Sequence, residues 1–254
     1  MQRWLLGLIW GRTQAMAKHG NWLLKCLEPA VRAQFEPRMR QVELERGEVL
    51  QHPGAEVRKV YFPEGALIGL ISAMAGGDAV QTATVGWDGA LGVFEACGTR
   101  QSAFRAEVQV EGPAWMMSAE DYRRMYAASD DLRTAVHKYV EILLTEARQF
   151  VACNALHSVS ARLCRSVLEA LERSRDGHSL PVTQEALAQM LGVQRTTITA
   201  AISQLQAAGA LRSTRGVIRV LEPQVLEDGA CCCRDTLRMA RAEIYASDQT
   251  VCDD

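Results

Sequence analysis

The chain has 254 residues, of which 48% are hydrophobic and 23% are charged. This composition is typical of a globular protein, and the length suffices for a substantial core divided over two domains. The formal net charge of -2 excludes a chain that is basic throughout. Residues 157–221 differ from the rest, since they hold eight Arg, four acidic residues and no Lys. A basic module on an acidic body is expected of a protein that contacts phosphate with one end only.

Residues 1–20 are interpreted as an N-terminal extension. The apolar run from Trp4 to Trp10 is far too short to span a bilayer, and Arg12 interrupts the region where a signal peptide would be apolar. Met16 is an alternative start of the protein. The eight cysteines include no C-x-x-C pair, which favours reduced thiols. We therefore expect a cytoplasmic protein without membrane association.

Residues 21–128 are predicted to form an effector domain built as a β-roll. Residues 21 to about 40 show helical spacing of apolar side chains. Eleven glycines then divide the segment from Val42 to Met117 into short apolar runs, a pattern that indicates many short strands. Gly76, Gly77 and Asp78 are interpreted as a hairpin tip.

Residues 129–156 are predicted to be a long dimerisation helix. Two apolar rows on one helix require two partners, and we assign the roll to one row and a second copy of the helix to the other. A helix buried within one domain is the alternative. The predicted dimer interface consists of Leu132, Val136, Tyr139, Leu143, Phe150 and Cys153. The second apolar row contains Val140, Leu144, Ala147 and Val151.

Residues 157–223 are predicted to form a winged helix-turn-helix DNA-binding domain. Thr183 can cap a first helix and Gly192 can end it in the left-handed conformation. A second helix follows with Ile198 and Ile202 buried, and two strands about Arg215-Gly216 would form the wing. Residues 224–254 are interpreted as a C-terminal extension with one or two helices.

Side chains at the start of the second helix are expected to read base edges, as in this motif generally. Arg195 could bond guanine through two hydrogen bonds, and Gln194 could pair with adenine. Thr183, Gln184 and Arg215 suit phosphate better. The alternative is a helical hairpin with polar side chains facing solvent. The predicted base-reading set consists of Gln194, Arg195, Thr196, Thr197 and Thr199.

The order of these elements resembles that of the CRP/FNR superfamily of transcription regulators. The stretches that carry the resemblance are VYFPEGALIGLIS, VGWDGALGV, FRAEVQV, ACNALHSVSARLCR and LPVTQEALAQMLGVQRTTIT, within residues 20–223. The resemblance implies an α+β fold with an N-terminal jelly roll like that of cyclic-nucleotide-binding domains. It also implies a homodimer that binds a palindromic operator in double-stranded DNA, answers to a small-molecule effector and contacts RNA polymerase.

The candidate effector pocket departs from the family pattern. Where cyclic-AMP binders have Gly-Glu and Arg-Ser pairs, this chain has Gly89-Ala90 and Arg100-Gln101, and the carboxylate that holds the ribose is lost. The effector is therefore unknown, with cyclic AMP disfavoured. The predicted pocket residues are Gly89, Ala90, Leu91, Arg100, Gln101, Ser102 and Arg148.

The DNA-reading helix departs too, because Thr196 replaces a Glu and Ala200 replaces an Arg of the family's best-known operator code. The operator should differ accordingly.

The remaining motifs add two alternatives. A single N-terminal cysteine in the family region, Cys26, disfavours an iron-sulfur cluster. Cys231, Cys232 and Cys233 could act as a thiol redox sensor or a soft-metal site, or be tolerated in a tail helix. The five His show no ligand spacing, so no metal is assigned. No catalytic motif is recognised, and we expect no enzyme. A ligand-binding or interaction protein with a vestigial helix-turn-helix is the other alternative.

Overall fold

The computed structural model describes residues 20–174 and 177–246. The predicted N-terminal extension, except Gly20, lies outside the described residues, as do Arg175 and Cys252. The chain begins with two short helices, α1 (Trp22–Lys25) and α2 (Pro29–Phe35), followed by a 3-10 turn over Glu36–Arg38. Pro29 occupies the first turn of α2, where its missing N–H costs nothing, and it separates the two helices.

Seven strands then form two antiparallel sheets, as the spacing of glycines predicts. One sheet has the order β1-β7-β3 and the other the order β2-β6-β4-β5. The strands are β1 (Arg40–Leu44), β2 (Val49–Gln51), β3 (Lys59–Pro63), β4 (Leu67–Ala73), β5 (Ala79–Val85), β6 (Arg105–Val110) and β7 (Gly112–Ser118). The predicted tip at Gly77 closes the β4–β5 hairpin, where its N–H donates to the carbonyl of Met74 at 3.0 Å. The fold is thus the predicted α+β arrangement with an N-terminal roll.

The two faces of the four-stranded sheet serve different cores. Side chains such as Ile68, Val85 and Val108 point into the roll, where they are almost fully buried. Leu67 and Val110 point outward into a separate core that they share with the C-terminal helices. Leu67 and Ile68 alternate between faces, and a register shift opposite them brings Val110 to the side of Leu67. One sheet therefore closes the roll and also supports the DNA-binding half of the chain.

Two helices follow the roll, α3 (Ala119–Ala128) and α4 (Asp130–Leu156), and each begins at a serine. Ser118 and Ser129 accept hydrogen bonds from backbone N–H groups in the first turns. The helix α4 has 27 residues, so it is about 40 Å long. It is long enough to contact the roll at one end and the C-terminal half at the other.

The row of α4 predicted as the dimer interface faces inward instead. Leu132, Val136 and Tyr139 are at most 3% exposed and belong to the core of the N-terminal domain. Cys153 is fully buried, and Leu143 and Phe150 are partly buried. The protein's own core thus covers Leu132, Val136, Tyr139 and Cys153, and only Leu143 and Phe150 of the predicted row keep some exposed surface.

The second row is the exposed one. Leu144 is 50% exposed and Val151 is 72% exposed, and Ala147 lies between them on the same face. The row with free apolar surface is therefore Val140, Leu144, Ala147 and Val151.

An acidic residue interrupts the inner row of α4 because it forms buried ion pairs. Glu146 is 2% exposed and accepts from Arg173 at 3.0 Å and from Arg241. The same Arg173 bonds Asp88 in the roll, with 2.8 Å between Nη2 and Oδ2. This ionic junction, defined as Asp88, Glu146, Arg173 and Arg241, ties the roll and α4 to two helices further along the chain.

The C-terminal half begins with α5 (Val159–Arg173), which starts at the capping residue Ser158. Its further elements are β8 (Ser179–Leu180), α6 (Gln184–Leu191), α7 (Arg195–Ala207), β9 (Leu211–Thr214) and β10 (Val217–Val220), in a small sheet of order β8-β10-β9. Leu163, Leu187 and Ile198 are completely buried where α5, α6 and α7 meet.

Two helices complete the described chain, α8 (Pro223–Gly229) and α9 (Cys233–Ala246). The helix α8 packs on α5, and α9 packs along α4. Near its end, the ring of Tyr245 lies 4.3 Å from that of Trp22, measured between centroids. The C-terminal extension therefore returns to the N-terminal domain. No described helix has the length and hydropathy needed to cross a membrane.

Candidate nucleic-acid interface

The helices α6 and α7 form a helix-turn-helix whose turn is fixed by local residues. Thr183 caps α6 by accepting from the Ala186 N–H at 3.0 Å. Gly192 ends α6 at φ 62°, a left-handed conformation that costs other residues free energy. Val193 then donates its N–H back to Ala188 at 3.0 Å. These contacts set the start of α7 at a defined angle to α6.

All five predicted base-reading residues lie on the exposed surface at the start of α7. Gln194 is the N-cap residue, but its side chain makes no capping hydrogen bond. Arg195, Thr196 and Thr197 are exposed on the first turn, whereas Ile198 is completely buried. The buried side of α7 thus orients an uninterrupted polar surface outward.

Two of the predicted DNA-binding residues, Gln184 and Thr199, are hydrogen-bonded to each other. The Thr199 hydroxyl donates to Gln184 Oε1 at 2.7 Å and lies 3.0 Å from the Arg195 carbonyl. Gln184, predicted to bind phosphate, therefore links α6 to α7 through this hydrogen bond. The methyl group of Thr199 stays available for an apolar contact, because the residue is exposed.

The wing has the tight turn that its sequence predicts. Val217 pairs with Thr214, leaving Arg215 and Gly216 as a two-residue loop with φ 47° and 80°. Positive φ at both positions is the geometry of a type I′ hairpin. Arg215 is exposed at the tip, and Thr183 lies close to Gly216.

The positive charge of the C-terminal half divides into two groups. Arg162, Arg165 and Arg173 are 6%, 4% and 6% exposed, so they cannot contact phosphate. They serve as internal partners, as in the 2.7 Å bond from Arg165 to Glu169. The arginines of the described segment that reach solvent are Arg195, Arg212, Arg215 and Arg219.

The predicted effector residues do not form the expected pocket. Gly89 packs so closely on the Tyr139 ring that a β-carbon at this position would overlap it, and Ala90 is buried. Leu91 is also buried and exchanges two backbone hydrogen bonds with Tyr61. These three residues therefore pack against other parts of the N-terminal domain.

The polar members of that set are dispersed. Arg100 is exposed at φ 63° in a turn, Gln101 is exposed beside it, and Arg148 is exposed on α4. Ser102 is buried and donates to the Phe104 carbonyl at 2.8 Å. None of the seven predicted residues lines the cavity described next.

A cavity of about 230 Å³ lies between the outer face of the roll, α4 and the C-terminal half. Gln81, Gln109, Phe150, Arg165 and Glu169 are among its lining residues. The first two are hydrogen-bonded to each other, and the Arg165 guanidinium lies 4.6 Å from the Phe150 ring centroid. This space adjoins both halves of the chain.

The structure also assembles a group of residues that the sequence does not place together. Cys231 and Cys233 lie against Cys153 and His157 at the end of α4, with one possible ligand atom of each residue within 4.8 Å of the others. The sequence alone assigns no metal to His157, because the five His are far apart and show no ligand spacing. The spacing of Cys153 and His157, one helical turn apart, is the signal that could have found half of the cluster.

Comparison with known proteins agrees with this architecture. Residues 161–228 match the family model of the Crp-like helix-turn-helix domain. No curated protein matches the chain significantly. Among solved structures, a CRP/FNR-family transcriptional regulator of Thermus thermophilus shares 22% identity, with a TM-score of 0.62 over 75% of this chain and 98% of that chain.

Two further structures have the same fold. FixK2 of Bradyrhizobium japonicum has a TM-score of 0.65 at 14% identity, covering 76% of this chain and 98% of its own. The c-di-GMP-responsive global regulator CLP of Xanthomonas campestris has a TM-score of 0.62 at 14% identity, covering 76% of this chain and 99% of its own. At these identities the likeness concerns the fold alone.

Proposed function

We propose that the chain is a homodimeric transcription regulator of the CRP/FNR type that binds a palindromic operator in double-stranded DNA. The observation that carries the proposal is the exposed polar start of α7. Arg195 and its neighbours present donors, acceptors and methyl groups on a helix held firmly by Ile198 and Ile202 beneath. A helix with this surface fits the major groove.

The exposed arginines support the same interface. Arg195 is suited to a guanine edge, while Arg215 at the wing tip and Arg212 in β9 are suited to phosphate. Since Arg162 and its buried neighbours cannot take part, a small number of phosphate contacts should set the salt dependence. The apparent affinity should fall with salt less steeply than the eight arginines of the segment would suggest.

The proposed dimer forms through the exposed apolar row of α4. A second copy of α4 packed on Leu144, Ala147 and Val151 would remove this surface from water. Pairing through α4 also gives two copies of α7, which must lie about 34 Å apart to enter successive turns of the groove. The twofold symmetry of such a dimer matches a palindromic operator.

Substitution on α4 tests the dimer. Leu144→Glu should convert the dimer to monomer in sedimentation velocity, because it places charge in the centre of the apolar row. Met239→Glu is the matched control, since Met239 on α9 is 52% exposed, close to the 50% of Leu144. If Met239→Glu dissociates the dimer and Leu144→Glu does not, α4 is not the interface.

Arg195→Ala tests the DNA contact on operator sequences selected from random DNA with the native protein. Loss of a two-bond contact to guanine should weaken binding by about 5- to 150-fold per half-site, or about 30- to 20,000-fold for the dimer, and relax the preference at one base of each half-site. Arg215→Ala should instead weaken binding to all sequences alike and reduce the salt slope by about two, one for each subunit. Arg58→Ala, which removes an exposed charge from the roll, is the control.

An unchanged affinity and salt slope for Arg195→Ala would contradict the proposal. That outcome would favour a ligand-binding or interaction protein with a vestigial helix-turn-helix.

The other parts of the proposal rest on the family type. We propose a cytoplasmic, non-catalytic protein that contacts RNA polymerase when bound to DNA. A small effector would not lie at Gly89, which is closed by Tyr139. The cavity beside Phe150 is the better place, because a ligand there would contact the roll, α4 and α5 together.

A further inference from the structure

We propose that Cys153, His157, Cys231 and Cys233 bind one Zn²⁺ ion, which fixes the start of α9 to the connection between α4 and α5. Three thiolates and one imidazole are a ligand set that structural zinc sites use. The four side chains each offer one ligand atom, and these atoms lie within 4.8 Å of one another.

Two of the six distances between the ligand atoms are close to those of a tetrahedron around zinc, and none of the six exceeds 4.8 Å. Bonds of about 2.3 Å to sulfur and about 2.0 Å to nitrogen imply ligand atoms roughly 3.5–3.8 Å apart. The Cys153 and Cys231 sulfurs are 3.5 Å apart, and Cys233 Sγ lies 3.4 Å from His157 Nδ1. Only small side-chain shifts would bring all four atoms to bonding distance.

Local structure explains why these residues converge. Cys153 and His157 lie one turn apart at the C-terminal end of α4, so both point to the same side. Cys231 and Cys233 lie two residues apart where α9 begins, and the Cys231 N–H donates to the Ala161 carbonyl at 3.3 Å. Each half of the site thus comes from a locally rigid segment.

The surroundings suit a bound cation with three thiolates. Cys153 and Cys233 are fully buried and Cys231 is 7% exposed, whereas His157 is partly exposed and gives access from solvent. Gln149 Nε2 donates to Cys233 Sγ at 3.0 Å, as second-layer groups do for metal-bound sulfur. Zinc with three thiolates and a neutral imidazole carries one negative charge.

A redox switch fits the same residues less well. A disulfide between Cys153 and Cys231 would use two of the four groups and leave His157 and Cys233 without a role. Cys153 is also completely buried, so an oxidant in solution has little access to its sulfur.

The site is tested by metal content and cobalt spectroscopy on the full-length protein. Purified under reducing conditions with zinc present, it should retain about one Zn²⁺ per chain after gel filtration. Replacement by Co²⁺ should give the visible bands of tetrahedral cobalt and near-ultraviolet sulfur-to-cobalt charge transfer. Cys231→Ser and His157→Gln should abolish stoichiometric zinc and weaken or remove these bands.

Two controls separate ligation from proximity. Cys232→Ser changes an exposed neighbour outside the ligand set, and Cys97→Ser changes an exposed thiol on the roll. Both should keep zinc at the native level. Gln149→Leu should retain the site but lower the zinc affinity by about 10- to 100-fold in chelator competition.

Thermal unfolding provides a readout that does not depend on any single variant. Zinc should raise the Tm of the native protein and leave that of Cys231→Ser unchanged, provided that circular dichroism shows the variant folded. Absence of stoichiometric zinc in the native protein, a Cys153–Cys231 disulfide in the reduced preparation, or equal loss of zinc from Cys232→Ser would overturn the proposal.

Discussion

The ionic junction should make Arg173→Met strongly destabilising although Arg173 is far from the proposed DNA surface. Arg173 bonds Asp88 with Nε at 2.9 Å and Nη2 at 2.8 Å, and Glu146 at 3.0 Å. Its side chain is 7% exposed, and those of Asp88 and Glu146 are 9% and 3% exposed. Removing the guanidinium leaves the buried Asp88 carboxylate without a cationic partner, while Glu146 keeps only Arg241.

The loss in the free energy of unfolding depends on which buried charges remain unpaired after each substitution. Removing one partner of a buried ion pair costs about 3–5 kcal/mol, and we expect this loss for Arg173→Met. Arg241→Met should cost less, about 2 kcal/mol, because Glu146 keeps Arg173. Asp88→Asn combined with Arg173→Met should recover part of the loss, since it removes the carboxylate that Arg173→Met leaves unpaired.

Urea unfolding followed by circular dichroism and tryptophan fluorescence measures these differences at one fixed protein concentration, because the stability of the proposed dimer would depend on concentration. A cost below about 1 kcal/mol for Arg173→Met would refute the reasoning, by the same scale. So would a double variant with Asp88→Asn that is no more stable than the single one.

Three further predictions concern other sites. Gly192→Ala should lower the free energy of unfolding by about 1–2 kcal/mol in thermal melts, because φ is 62° there and the new β-carbon would press on Val80; a neutral effect would contradict the left-handed turn. Gly89→Ala should destabilise by about 1–3 kcal/mol through overlap with Tyr139, and a small residue in place of Tyr139 should relieve that overlap; additive losses in the double variant would count against this packing. Burial raises the pKa of the Tyr122 and Tyr139 phenols, so their stabilising effect is complete below about pH 10 and is lost as pH rises beyond it. Tyr122→Phe should flatten this alkaline loss, and an identical pH profile would argue against the buried phenol.

The helix-turn-helix could be predicted because its determinants are local. A cap at Thr183, a left-handed residue at Gly192 and a buried residue at Ile198 act within one or two helical turns. The type I′ turn at Arg215-Gly216 is local too. Such features can be predicted from the sequence because they do not depend on residues far away in the chain.

The surface of α4 could not be assigned in this way. Periodicity shows that Leu132 and Val136 share one face and that Leu144 and Val151 share another. It does not show which face the rest of the chain covers, because that depends on the roll and on α9. The inner row was buried by intrachain partners, and the outer row was left exposed.

Charge counting failed for a related reason. Arg162, Arg165 and Arg173 contribute to the net charge of the segment but lie inside the protein, where their partners are acidic side chains or carbonyls. The cysteine cluster could not be predicted from the sequence either, since Cys153 and Cys231 are 78 residues apart. Only the return of the C-terminal extension to α4 brings them together.

That return has a mechanical consequence. The DNA-binding half leaves α4 just after Cys153 and comes back to it at Cys231, and these two sulfurs are 3.5 Å apart. Both connections of the lobe therefore pass through a single point on the molecule. Rotation of the C-terminal half about this point would stretch neither connection. Its orientation is therefore set by the Arg173–Asp88 pair and by the core that it shares with Leu67 and Val110, and loss of these contacts would release the rotation first.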